Sequence, residues 1–293
     1  MKIIKPSVDF FGAVPTDYEN TLRFIEVAGR TCYKSEDKIT ATSAEGFVKK
    51  LINARHLAMV EHSNFVVRAL NVGFEFDDHI EAAVGKYLSF QRLKGVCHIG
   101  GSLTAWYQNA VANGFPGYTD SFVGNFGKIF NVPDEYAGGS DWQVCPHNEI
   151  PKALHRYSAK FICDRGVSHE LVRHRPCSFA QESTRYVNYG GKDMEFIEPW
   201  WCNDAYGANN GAAQWSNFEQ MCLIAEGLYK DQLRRGQSPQ AARAILPNAL
   251  KTEIVVTADA SEWAHIKKLR THPSAHPDMV RLMNMMPWEE MGL

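Results

Sequence analysis

Four consecutive residues, Ile254-Val255-Val256-Thr257, set the first limit on the fold, because all are β-branched. Such side chains are stiff at χ1 and pack well on a pleated surface, so the run reads as a buried strand. A chain of 293 residues, 45% hydrophobic and 22% charged, can supply the surroundings that a buried strand needs. At that length roughly three quarters of the unfolded surface is buried on folding, and disorder is excluded over most of it.

Helical spacing surrounds the run. Thr16 followed by Glu19 reads as a capping box, with Leu22, Ile25 and Ala28 behind it. A second helix is expected to start at Thr42 or Ser43 and to turn Phe47, Val48, Leu51 and Ile52 inward. Residues 63–70 read as a strand. From about 73 to 151 the chain is rich in Gly, Asn and aromatic residues, with turn pairs at Gly100-Gly101, Asn113-Gly114, Pro116-Gly117 and Gly138-Gly139. Helices are expected there over 78–91 and 103–112, and loop elsewhere. Further on, 159–163 reads as a short strand and 164–174 as a helix. Phe218, Met221, Cys222, Ala225, Leu228 and Tyr229 mark one amphipathic helix. Ser238 caps another that Pro239 opens and Pro247 stops. Ser261 is expected to cap a helix burying Trp263, Ile266 and Leu269, and a last helix begins at Pro277. The mixture implies an α+β fold, mainly antiparallel sheet packed with helices, and no βαβ alternation. It is expected to be a single core domain over 1–293 with 73–151 inserted.

Formal net charge is −2, so nothing global points to nucleic acid or a membrane surface, and an anion site must be a local cluster. The seven cysteines (Cys32, Cys97, Cys145, Cys163, Cys177, Cys202, Cys222) are odd in number and irregularly spaced, without C-x-x-C. That fits a reducing cytosol better than a disulfide framework. Residues 1–12 lack the apolar stretch of a secretory signal, and no apolar run approaches the ~20 residues that span a bilayer. The expected location is cytoplasmic, or the host cytoplasm if the source is viral.

The densest chemistry lies in Arg173-His174-Arg175-Pro176-Cys177-Ser178-Phe179-Ala180-Gln181-Glu182-Ser183-Thr184-Arg185-Tyr186. Pro176 disfavours helical geometry at Arg175, so the arginines are expected at a helix end and in the loop after it. There guanidinium groups can grip phosphate bidentately, with hydroxyls and backbone N–H groups completing the cradle. Glu170 stands three residues before Arg173 and would share a helical face with it. The plainer reading is a solvated helix face with a salt bridge.

R-H-R, seven residues, then Ser is the signature of flavin-dependent thymidylate synthases, and Arg173-His174-Arg175 with Ser183 resembles it. The match runs on through Ser178, Gln181, Arg185 and Tyr186 and back through Asp164-Arg165-Gly166-Val167-Ser168-His169-Glu170-Leu171-Val172. Ala28-Gly29-Arg30-Thr31-Cys32-Tyr33, His56 with Glu61-His62, Ala242-Arg243-Ala244-Ile245-Leu246-Pro247, and Leu269-Arg270 with Ala275-His276-Pro277 are similar to other pieces of the family. Only 73–151 is left uncovered.

The resemblance implies an enzyme that makes dTMP from dUMP. It implies FAD as cofactor, with methylene-tetrahydrofolate and NADPH as co-substrates, and no protein nucleophile on the base. It implies that Arg173, His174 and Arg175 contact flavin, with Arg173 also near the nucleotide. Glu170, Leu171, Gln181, Glu182, Ser183, Thr184, Arg185 and Arg243 would hold dUMP, Arg185 on its phosphate. Arg270 would be catalytic, stabilising charge on the uracil ring. Cys32, His56, Glu61, Gln181, Asp259, His265 and His276 would line the flavin pocket. Sites would form between subunits of a homotetramer, with no metal, membrane or nucleic acid. Asp259 and Ser261 stand where many relatives have Asn and Arg, Glu170 where some have Gln, and Cys32 where some have Ser.

Rival readings stay open. His56 and His62 fit as core or turn histidines, Arg243 as a surface cation, and Arg270 as a partner for a helix C-terminus. Cys177 among arginines could be a thiolate, and Cys145-Pro146-His147 superficially resembles the nucleophile of the unrelated classical thymidylate synthase. Cys97-His98 with Cys145 and His147 could suggest zinc, at poor spacing. The Arg-rich loop, with Tyr186, Tyr189, Trp200 and Trp201 as stacking surfaces, could instead bind RNA or DNA without catalysis.

Overall fold

The structure, a computed structural model, describes residues 1–70, 77–85, 87–137, 141–202 and 211–293. Two strands, β1 (Lys2–Ile4) and β2 (Ser7–Ala13), precede helix α1 (Tyr18–Tyr33). The cap of α1 is Asp17 rather than the expected Thr16, and its carboxylate accepts the Asn20 N–H at 3.0 Å. A carboxylate also suits the positive end of the helix dipole, which a hydroxyl does not exploit. Helix α2 (Ser43–Asn53) starts where expected and buries Val48 and Leu51, with Phe47 and Ile52 packed against them. A single turn, α3 (Leu57–Val60), leads to β3 (Phe65–Leu70), two residues later than the sequence pattern suggests.

The next stretch departs most from expectation. Helix α4 (Asp77–Val84) stops well short of 91, and β4 (Ser89–Leu93) and β5 (Val96–Gly101) form an antiparallel hairpin instead. Lys94 and Gly95 join them with φ of 50° and 81°, the positive values that match a hairpin turn to strand twist. Helix α5 (Leu103–Ala112) coincides with its expected range, and α6 (Asp120–Phe126) and β6 (Trp142–Val144) follow. The antiparallel order β4-β5-β3-β6 makes a four-stranded sheet out of a region expected to be mostly loop. Phe65, Trp106, Phe122 and Phe126 form its core, Phe65 and Phe126 meeting edge to face at 5.2 Å. Gly73 and the Gly138-Gly139 turn lie outside the described residues.

Strand β7 (Arg156–Asp164) is longer than 159–163, because its partner dictates its length. Then come α7 (Arg165–Leu171), β8 (Ser178–Gln181), β9 (Glu195–Ile197), α8 (Gly211–Arg234), α9 (Pro239–Ala242), β10 (Lys251–Asp259), α10 (Ala260–Arg270) and α11 (Pro277–Met283). The β-branched run is the middle of β10. This strand pairs along its whole length with β7, Lys251 opposite Asp164 and Asp259 opposite Arg156, and on its other edge with β8. The second sheet is therefore β2-β7-β10-β8, antiparallel throughout, while β1 and β9 make a short parallel pair. Ile254, Val256 and Ala258 pack with Phe161, Trp263 and Met279, and Val255 packs with Ala28 and Ala180. Strand β10 is thus buried on both faces, which is what an unbroken β-branched run needs.

Three further expectations are corrected. Asp259, not Ser261, caps α10: it accepts the Glu262 N–H at 2.8 Å and the Ser261 hydroxyl at 2.7 Å. Leu269 and Leu228 are exposed at 46% and 51%, so neither is core. Helix α7 ends at Leu171, and Ser178–Gln181 is a strand rather than loop. All seven cysteines are free thiols, and among the described residues no helix is long and apolar enough to cross a membrane.

Candidate active site

Asp164 ends β7 and starts α7, accepting the Val167 N–H at 2.8 Å. The helix runs out before Pro176, leaving Arg173 and Arg175 exposed and His174 buried. Among the described residues neither exposed guanidinium has a side-chain partner. Glu170 shares no helical face with Arg173. Its carboxylate instead accepts Arg270 Nη1–H at 2.9 Å, and its carbonyl accepts Nη2–H at 3.1 Å. Arg270 Nε–H donates to His174 Nε2 at 3.0 Å, and His174 Nδ1 lies 3.0 Å from Glu262 Oε1.

This chain fixes the histidine's tautomer. A guanidinium can only donate, so Nε2 accepts and Nδ1 carries the proton to Glu262. Burial is the main force holding the His174 pKa below its ordinary value; Glu262 opposes it, and Arg270 reinforces it. The imidazole is neutral. His265 stands edge to face with His174 at 5.8 Å, and the ligand atoms of His174, Glu262 and His265 lie within 4.8 Å of one another. A metal on His174 Nδ1 would have to strip its only proton while Nε2 accepts from Arg270. That would leave an imidazolate beside a cation, so the trio is read as a hydrogen-bonded network.

The residues after β8 form a second group. Gln181 donates to Ser168 Oγ at 2.8 Å and Thr252 Oγ1 at 3.2 Å. Ser183 N–H donates to the Cys32 carbonyl at 3.0 Å. Thr184 accepts from Arg243 at 3.4 Å, while Arg185 donates to Gln240 at 2.9 Å and lies over the Tyr186 ring at 5.3 Å. Glu182 is 2% exposed and accepts from Tyr189 at 2.8 Å, from the Glu253 N–H at 3.2 Å, and from Lys251 at 3.2 Å. Leu171 lies wholly in the core. His56 bonds to the Tyr33 hydroxyl at 2.9 Å, and Tyr33 packs 5.8 Å from Tyr186, which ties His56 to this group.

Two cavities hold the remaining candidates. Glu61 and Asp259 line one of about 270 Å³. His276 and Glu170 line another of about 320 Å³, together with Asp164, Trp200, Trp201 and Asp278. Burial, with Asp164 nearby, pushes the Asp278 carboxyl up to about 6. His62 is fully buried against Thr257 Oγ1 at 2.8 Å, the core-histidine role. Burial drives its pKa down to about 3.

The cysteine rivals fail on the same physics. Burial pushes the Cys177 thiol well up despite Arg156, and pushes Cys145 up to about 11. Neither is a thiolate at neutral pH. Two of the stacking surfaces of the nucleic-acid reading are engaged within the chain, since Tyr189 is held by Glu182 and Trp201 packs edge-on against Phe218 at 6.0 Å, while Tyr186 is 57% exposed beneath Arg185. Glu262, Lys251 and Arg156 were missed in the sequence. Glu262 left one signal, standing three residues before His265 on the helix that carries Arg270.

Residues 153–291 match the family model described as thymidylate synthase complementing protein. The flavin-dependent thymidylate synthase of Mycobacterium tuberculosis (strain ATCC 25618 / H37Rv) is 35% identical over 127 residues, 40% of this chain and 50% of that protein. Residues 153–291 are therefore similar to the flavin-dependent thymidylate synthases. The enzyme of that name from Mycolicibacterium gilvum (strain PYR-GCK) is 36% identical over 128 residues, again 40% of this chain and 50% of that protein. The chain spans about half the length of the curated relatives it matches. Among solved structures, the UMP/dUMP methylase PolB from Streptomyces cacaoi bound with 5-Br UMP aligns with TM-score 0.45 and 14% identity, over 98% of this chain and 89% of that one. Thymidylate synthase X from Helicobacter pylori with FAD and dUMP aligns with TM-score 0.39 and 14% identity, over 98% and 95%. The family segment contains Glu170, the R-H-R triplet, the Ser183–Arg185 loop, Arg243 and Arg270; Cys32, His56 and Glu61 lie outside it.

Proposed function

We propose that this protein is a flavin-dependent thymidylate synthase that converts dUMP to dTMP, taking its one-carbon unit from methylene-tetrahydrofolate and its reducing equivalents from NADPH. The observation that carries the reading is the chain Glu170–Arg270–His174–Glu262 directly beside two unpaired arginines. Arg270 uses three of its N–H groups on Glu170 and His174, so two of the five a guanidinium carries remain for a substrate. Held in place from behind, such a group stabilises charge that develops on a uracil ring without having to reorganise. Because His174 is neutral, it adds no competing positive charge.

The donor set fits a flavin dinucleotide. Arg173 and Arg175, without side-chain partners among the described residues, offer guanidinium groups for its pyrophosphate, and the polar cavity bordered by Glu61 and Asp259 is also lined by Pro176, next to Arg175. When bound, FAD would supply the electron transfer that no side chain here can perform. Arg185, Thr184 and Arg243 would hold the dUMP phosphate. In one chain the Arg270 group and the Arg185 group are separate constellations, which supports sites completed between subunits of a homotetramer. The test mixes protein, FAD, NADPH, methylene-tetrahydrofolate and dUMP without oxygen. Formation of dTMP that requires every component supports the reading, and its absence from a folded, flavin-loaded preparation overturns it. Analytical ultracentrifugation checks the tetramer.

A further inference from the structure

Residues 182–185 lie between β8 and β9 with no helix or strand of their own. A phosphate grip needs their hydroxyl and guanidinium groups at fixed points, so such a stretch must be pinned from outside. One pin is a backbone bond, from the Ser183 N–H to the Cys32 carbonyl at 3.0 Å. The other is the side chain just before it. Glu182 is buried, and its carboxylate is held by Tyr189, by the Glu253 N–H and by Lys251.

Lys251 and Glu253 stand two apart on β10. Alternation along the strand puts both on the face where Val255 packs with Ala28 of α1. Both are buried there, and Lys251 Nζ lies 2.5 Å from Glu253 Oε1 and 3.2 Å from Glu182 Oε2. The ammonium group thus stands between two carboxylates that would otherwise repel each other, with the more exposed Glu195 at 3.6 Å. Lys34, two residues beyond Cys32, donates to Glu253 Oε1 at 2.9 Å and to Glu36 at 2.8 Å, and Lys160 of β7 faces Glu253 at 3.9 Å. Burial works to raise the Glu253 pKa, but Lys251 and Lys34 outweigh it and hold the carboxyl below its ordinary value. Glu253 would therefore keep cations beside it without Lys251. Glu182 would not, since Lys251 is its one salt-bridge partner among the described residues.

We propose that Lys251 is a positioning residue for nucleotide binding: through its ion pair with the buried Glu182 it sets where Ser183, Thr184 and Arg185 meet the phosphate. The inference rests on the dUMP reading above. Lys251→Met leaves the Glu182 charge uncompensated in the interior, and the loop must shift to hydrate it. Glu182→Gln cuts the same link while keeping the volume and an acceptor for Tyr189. Flavin-loaded wild type, both variants and the double variant are titrated with dUMP by calorimetry. FAD affinity, thermal melts and rates at saturating dUMP are measured beside them. Each single variant is expected to raise the dUMP Kd about tenfold or more, and the double variant to stay within about threefold of the weaker single, because both changes remove one link. In Lys251→Met, the FAD Kd should stay within about twofold and kcat within about threefold of wild type, a split between KM and kcat that a general loosening of the fold would not give. Unchanged dUMP affinity in a folded variant, additive losses in the double variant, or equal losses of FAD and dUMP affinity overturn the proposal. If Lys251→Met does not melt cooperatively, Glu182→Gln decides, because Lys251 stays paired with Glu253 in it: weakened dUMP binding with FAD retained supports the proposal, and wild-type dUMP affinity overturns it. A wild-type protein that binds FAD but no dUMP sinks the nucleotide reading instead, so the two failures are distinguishable.

Discussion

His174 shows what a single residue gains from partners far along the chain. Its tautomer is set by Glu262 and Arg270, which lie 88 and 96 residues downstream, so no local spacing could reveal it. The R-H-R triplet was legible in the sequence, whereas the burial of its middle member and the exposure of its flanks were not. Because Glu262 favours the charged imidazole, Glu262→Gln should lower the His174 pKa further. The acid limb of the pH profile of kcat/KM is expected to move to lower pH, and an unmoved limb would remove His174 from the pH-dependent step. Arg185 makes the opposite kind of prediction. It is exposed, and its Gln240 bond is weak enough to yield to a phosphate. Losing one charge-assisted bond of about 1.5–3 kcal/mol should weaken dUMP binding tenfold to a hundredfold in Arg185→Ala. Calorimetry should find FAD binding retained there; wild-type dUMP affinity would remove Arg185 from the phosphate site.

At the level of elements, legibility followed the strength of the local signal. The run in β10 and the helix Leu103–Ala112 were found because tertiary packing agrees with local preference there. The β4–β5 hairpin was missed because Lys94-Gly95 is a weak turn signal beside the Asn-Gly or Asp-Gly pairs that mark such turns. The cap of α10 was misplaced by two residues because Asp259 and Ser261 both have capping side chains, and the choice falls to where β10 stops pairing. That choice matters, since Asp259 accepts the N–H of Glu262, the residue that orients His174. Asp259→Ala should cost about 1 kcal/mol of stability and also lower kcat, whereas Asp259→Asn, an equally good cap, should restore most of the stability. Denaturant melts and steady-state rates on both variants check this. Equal stability of the Ala and Asn forms would mean that the cap does not hold the helix end.

For the molecule as a whole, the sequence showed that helix and antiparallel sheet would mix, but not that 73–151 would build a second sheet against β3. That sheet depends on partners too distant in sequence and too weakly patterned to read. The two sheets meet around His62, which closes the junction beneath Thr257. Its pKa falls from the ordinary 6.5 to about 3 because a fully buried imidazolium would lose its hydration. The unfolded chain therefore binds a proton near pH 6.5 that the folded chain refuses until near pH 3, so stability rises with pH across that window. The neutral form's contribution is whole above about 6.5 and drains away as acid is added, reaching on the order of 5 kcal/mol if the protein stays folded to pH 3. His62→Gln keeps a polar partner for Thr257 and removes the titration. Its melting temperature should be lower than wild type at pH 8, yet fall less steeply between pH 6.5 and 4.5. Parallel acid limbs in the two proteins would show that other groups, and not the histidine at the junction of the sheets, set the acid limit of this fold.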